Sequence, residues 1–140
     1  METPPGVLDV RRVNSGDWRR AVFGAVNLHA GATAVAEFFS RLTDPEGPVR
    51  ELLGPDLHAE YIAPQVTGHD EVFGTTVTWS LGLIRDRHKI AKGGVGGSAA
   101  WWSARYGHGA AFLTRRLDDL SRVAEIAAAL GDDLTVVGEE

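Results

Sequence analysis

A chain of 140 residues with 44% hydrophobic and 24% charged residues has the make-up of one soluble globular domain, residues 1–140, large enough for a modest core. The net charge of −5 comes without any block of like charges, which argues against an extended nucleic-acid surface or a basic membrane patch; neither partner is expected. The lack of cysteine excludes disulfides, thiolate catalysis and cysteine-based zinc sites.

The start, Met1-Glu2-Thr3-Pro4-Pro5, is neither basic nor apolar, and no later run approaches the roughly 20 apolar residues of a membrane span, so the cytoplasm is the expected location. Residues 1–24 read as extended or irregular, with Pro4-Pro5-Gly6 as a breaker. Val35, Phe38, Phe39 and Leu42 then form one apolar helical face, predicting a helix from Ala32 to Leu42 with Gly31 as its cap and Asp44-Pro45 as its end. Gly47-Pro48 through Leu53 predicts a short helical turn, and Pro55 opens another that runs to Tyr61. From Thr75 to Leu81 the residues are β-branched and aromatic, with Val77, Trp79 and Leu81 alternating on one strand face. Asp86-Arg87-His88 turns the chain into a short strand over Lys89–Lys92 and a longer one over Ser98–Ala104. Tyr106 to Gly109 is a hairpin-like connection to a strand over Ala110–Thr114. A last helix is capped by Asp118 or Asp119, buries Leu120, Val123, Ala124 and Ala127, and stops at Gly131. Helices, an antiparallel meander and a covering helix make an α+β layer arrangement.

The densest chemical signal is Lys92-Gly93-Gly94-Val95-Gly96-Gly97-Ser98. Glycines strip the backbone of side chains, and a cation beside bare N–H groups suits a carboxylate or a developing oxyanion. Read by themselves, Lys92 is a solvated lysine at a strand end and the glycines are a bulge or tight strand entry. Trp101 and Trp102 should point to opposite faces, one of them beneath the last helix. None of His29, His58, His69, His88 and His108 shows metal-ligand spacing, so all read as loop or cap residues, and no metal or cofactor is expected. Asp132-Asp133 and Glu139-Glu140 read as a solvated tail.

The glycine run, the strand Ala99–Ser103, the hairpin and Ala111 to Asp119 together resemble the carboxyl-terminal part of serine beta-lactamase-related hydrolases, the superfamily of esterases, D,D-peptidases and beta-lactamases. Val13-Asn14-Ser15, Trp18-Arg19, Val26 to Ala30 and Pro64 to Gly68 are similar to its esterase branch in the same order, so the likeness runs from about Gly6 to Leu130. It implies a partial beta-lactamase/transpeptidase-like fold with helices before the sheet, and a small ester or amide as substrate. Such enzymes use a Ser-x-x-Lys helix, a loop tyrosine, and a lysine or histidine followed by a small residue and glycine on an edge strand. Lys92-Gly93-Gly94 fits the last of these. The resemblance implies that Lys92 recognises a substrate carboxylate or tunes the site, that the Val95 N–H forms half an oxyanion hole, and that substrate lies against Gly93, Gly94 and Gly96.

The other two motifs are missing. No serine among Ser15, Ser40, Ser80, Ser98, Ser103 and Ser121 has lysine three residues later, and neither Tyr61 nor Tyr106 begins Tyr-x-Asn or Tyr-x-Ser. The expectation is therefore a truncated hydrolase, inactive alone, that needs a complementing chain carrying the nucleophile. The alternative is a non-catalytic binding or oligomerisation module derived from the same fold, with homo-oligomers as the simplest assembly.

Overall fold

The computed structural model describes residues 9–24, 27–94 and 96–134. The chain separates into two compact units, Met1–Ala30 and Gly31–Glu140. In the first, two short helices replace the expected irregular segment: α1 (Val10–Val13) and α2 (Gly16–Arg20). Each is started by a side-chain cap: Asp9 accepts from the N–H groups of Arg11 and Arg12, and Ser15 from that of Trp18. Helices this short carry no apolar periodicity, which is why only the caps could have revealed them.

The second unit opens with α3 (Ala32–Ser40), α4 (Pro48–Leu53) and α5 (Pro55–Ile62), close to the predicted boundaries. Six strands follow: β1 (Val66–Asp70), β2 (Thr75–Trp79), β3 (Ile84–Arg85), β4 (Lys89–Gly93), β5 (Ala99–Ser103) and β6 (His108–Phe112). They form one antiparallel sheet in sequential order, and α6 (Ser121–Ala129) comes last. The α+β class with a carboxyl-terminal helix on the sheet is thus as the sequence indicates. Two strands were not predicted. β1 is almost wholly exposed and has no apolar alternation, and β3 is two residues long. Leu81 falls in the turn after β2 instead of on the strand, and β6 begins at His108, two residues early.

Alternation along β5 divides the core. Ala100 joins Phe39, Leu42, Val49, Leu83 and Ile90 beneath α3–α5. Ala99 and Trp101 point the other way and pack with Val123 and Ala127 of α6, Trp101 being fully buried. Trp102 is half-buried on the opposite side of β5. The backbone of α3 lies directly on β6, where a methyl at Gly109 would meet the Ala36 carbonyl and the Ser40 backbone. His58 is no cap residue: it is buried on α5, and its Nε2 donates to the Leu42 carbonyl at 2.8 Å, tying α5 to the end of α3. Among the described residues, no helix is long and apolar enough to cross a membrane.

Candidate functional site

The glycine run joins β4 to β5. Lys92 and Gly93 pair with Ala100 and Ala99 on one side, but the ladder to β3 stops at Ala91. An interior strand therefore becomes an open edge over its last two residues. Lys92 is exposed there, and its ammonium lies 5.9 Å from the Trp79 ring centroid, within cation–π range. Among the described residues it makes no ion pair.

The four glycines divide into two kinds. A side chain at Gly93 would find nothing nearer than Leu120 Cδ1 at 3.9 Å, and one at Gly94 nothing nearer than the Ser98 carbonyl at 3.5 Å. Their bareness is open space. Gly96 and Gly97 instead have φ of +107° and +87°, and the segment 117–119 lies against them. Leu117 Cδ2 would be 2.5 Å from a Cβ at Gly96, and the Asp119 carbonyl would collide with one at Gly97. These two are required by the fold. The N–H groups of Gly94 and Gly97 are also spent inside the loop, on the Ser98 carbonyl at 2.8 Å and the Gly94 carbonyl at 3.3 Å. Val95, the expected oxyanion donor, lies outside the described residues.

Lys92, Gly93 and Gly94 stand beside a groove of about 860 Å³. Val77, Trp79, Ile84 and Ala91 line it from the sheet, and Leu120, which precedes α6, and Ala124 on that helix line it from the other side. Half of the predicted α6 stripe is buried: Val123 and Ala127 are, whereas Leu120 and Ala124, expected in the core, are exposed beside the groove. Trp79 is held there because its Nε1 donates to Asp70 at 3.1 Å. The carboxyl of Asp70 sits below its ordinary pKa, chiefly through the Phe73 N–H. At the far end Lys89 pairs with Asp86 at 3.0 Å and donates to the Asp133 carbonyl.

The sequence reading missed a second cluster. Asp132 is no solvated tail residue: it is 9% exposed and accepts from Trp101 Nε1 at 2.8 Å, Ser103 Oγ at 2.6 Å and His108 Nε2 at 2.7 Å. A buried indole needs an acceptor, and alternation puts Ser103 on the same face as Trp101, so the signal lay in the strand and not in the tail. Burial opposes the charge, but the hydroxyl, indole and imidazole donors outweigh it and hold the Asp132 pKa down. The serine, aspartate and histidine do not form a nucleophilic triad. Ser103 and His108 both donate to the carboxylate, so the imidazole is not set to take the serine proton. Among the described residues, no serine hydroxyl is hydrogen-bonded to an amine, an imidazole or a phenol.

No family model matches the chain, and no curated protein matches it. A solved structure does: the crystal structure of a novel penicillin-binding protein homolog from Caulobacter crescentus, with a TM-score of 0.61 and 24% identity. The match covers 74% of this chain and 30% of that one, so the chain corresponds to less than a third of its neighbour. At that identity the likeness is one of architecture: the described sheet and helices have a penicillin-binding-protein-like fold.

Proposed function

We propose that residues 1–140 act as one segment of a beta-lactamase-related acyl-transfer fold, supplying one wall of the reaction site but not its nucleophile. The observation that carries this reading is the open ladder edge at Lys92-Gly93, where an exposed ammonium and bare backbone meet an apolar groove. In the intact chemistry, a serine hydroxyl carried outside these 140 residues attacks an ester or amide carbonyl and expels the alcohol or amine. Water then hydrolyses the acyl-enzyme. Lys92 would pair with a substrate carboxylate, the Val95 N–H would supply half the oxyanion hole, and the substrate would lie along Gly93 and Gly94, with Gly96 shaping the turn beneath it. The reading needs a partner segment because no Ser-x-x-Lys occurs in the sequence.

The test is ester turnover in a reconstituted assembly. A segment bearing Ser-x-x-Lys and Tyr-x-Asn, mixed with or fused to this chain, should hydrolyse p-nitrophenyl acetate. Neither part should do so separately. Turnover by this chain alone, or none by the assembly once co-purification shows that it forms, would refute the proposal.

A second reading is favoured by the groove itself. Its apolar lining and volume suit a ligand of drug size, so a non-catalytic binding module is the alternative.

A further inference from the structure

Lys92 carries its charge on a long flexible stem at an open strand edge, so its strand alone does not place the ammonium. No ion pair places it either, because the carboxylates lining the groove are committed elsewhere. Asp86 is taken by Lys89 at 3.0 Å, Asp118 by Arg116 and Arg122, and Asp119 accepts the Ser121 N–H at 2.9 Å. What remains is the Trp79 ring, 5.9 Å from the ammonium. That ring is itself held. The pairing of β1 with β2 puts Asp70 and Trp79 on the same face of the sheet. Asp70 Oδ2 accepts the indole N–H at 3.1 Å, while Oδ1 accepts the N–H groups of Val72 and Phe73 at 2.9 and 3.1 Å. One oxygen therefore fixes the β1–β2 turn and the other fixes the indole. Phe73, carried by that turn, leans on the indole with 6.1 Å between ring centroids.

We propose that Asp70 is a positioning residue for Lys92: acting through the Trp79 indole, it holds the ammonium beside the groove, ready for a ligand carboxylate. A lysine left free must be ordered by the ligand itself, which weakens binding about threefold to tenfold. Asp70 removes that penalty from a strand that never touches the ligand. The proposal rests on the carboxylate role given to Lys92 in the acyl-transfer reading, but not on the nucleophile that the sequence lacks.

Lys89 and Lys92 are the two lysines of the chain, so isotope labelling of lysine gives two side-chain NMR signals, with Lys89 as the internal reference. In the unmodified chain the Trp79 ring should shift the Lys92 ε-methylene upfield, and Trp79→Leu should abolish that shift. Asp70→Asn can keep its oxygen on the two turn N–H groups and then offers the indole only an amide N–H. It should lose most of the shift while the Lys89 signal stays in place. In a Trp79→Phe background, which has a ring but no indole N–H, Asp70→Asn should add nothing further. Hexanoate is then titrated by NMR, with hexan-1-ol as the neutral control: Asp70→Asn should weaken hexanoate about threefold to tenfold and leave hexan-1-ol unchanged. A Lys92 signal unshifted in the unmodified chain or indifferent to Asp70→Asn would overturn the proposal. So would a full effect of Asp70→Asn in the Trp79→Phe background, or parallel losses for hexanoate and hexan-1-ol. Hexanoate that fails to bind the unmodified chain would refute the carboxylate role on which the proposal rests. An inactive assembly with hexanoate binding intact would refute the acyl-transfer reading alone.

Discussion

Replacing Asp132 with alanine isolates what ties the end of α6 to the sheet. The side chain accepts three hydrogen bonds, and two of the donors are deeply buried: Trp101 is fully buried and Ser103 is 1% exposed. Stranding a buried donor costs about 1–3 kcal/mol, and the rotatable Ser103 hydroxyl recovers part of its share while His108 turns to water. One full penalty for the indole and a partial one for the hydroxyl give a loss of roughly 3 kcal/mol. With a urea slope of about 2 kcal/mol/M, the unfolding midpoint should fall by roughly 1.5 M. Asp17→Ala, which removes an exposed pair with Arg20, is the control and should cost less than about 1 kcal/mol. Equal losses from the two variants would refute the role assigned to Asp132. The pH dependence has a defined sign. Because the folded pKa of Asp132 lies below its unfolded value, its contribution is present above the ordinary carboxylate pKa of about 3.9 and is lost as pH falls through the folded value. Asp132→Asn should therefore flatten the acid limb of the stability curve and leave neutral-to-alkaline behaviour parallel to the parent.

Gly97→Ala should cost more than about 2 kcal/mol, from a positive φ and the Asp119 carbonyl, whereas Gly94→Ala should cost less than about 1 kcal/mol; urea titration of the pair checks the division between required and open glycines. Lys92→Met should leave stability within about 0.5 kcal/mol, since among the described residues its exposed ammonium has the Trp79 face in cation–π range and no ion pair, and a larger thermal shift would reveal a structural role. Ala124→Trp should fill the groove and weaken binding of an apolar dye about tenfold, the equivalent of about 55 Å² of lost apolar contact at 25 cal/mol/Å². Unchanged dye titration would mean that the dye binds elsewhere.

Apolar periodicity made most of the fold readable. Phe39, Leu42, Val77, Val123 and Ala127 are buried on the faces their periods mark, and Trp101 lies beneath α6 as alternation requires. Elements that bury little left no such trace: α1 and α2 rest on their caps, β1 is an exposed edge, and β3 is held by its neighbours. Within the site, the sequence marked the cation and the glycines but could not separate them. Gly93 and Gly94 face open space, whereas Gly96 and Gly97 are fixed by Leu117 and Asp119, distant in sequence, a contact that only the fold creates. Asp132 looked like part of an acidic tail because its three partners come from β5 and β6, about thirty residues earlier for two of them.

Covalent labelling with a fluorophosphonate, read by intact mass, tests most directly whether this chain is a wall without a nucleophile. The chain alone should gain no adduct, while an assembly with a Ser-x-x-Lys segment should label on that segment's serine, about a hundredfold more slowly when Lys92 is alanine, equivalent to about 2.7 kcal/mol of transition-state stabilisation. An adduct on any of the six serines of this chain, or labelling of the assembly indifferent to Lys92, would contradict the account.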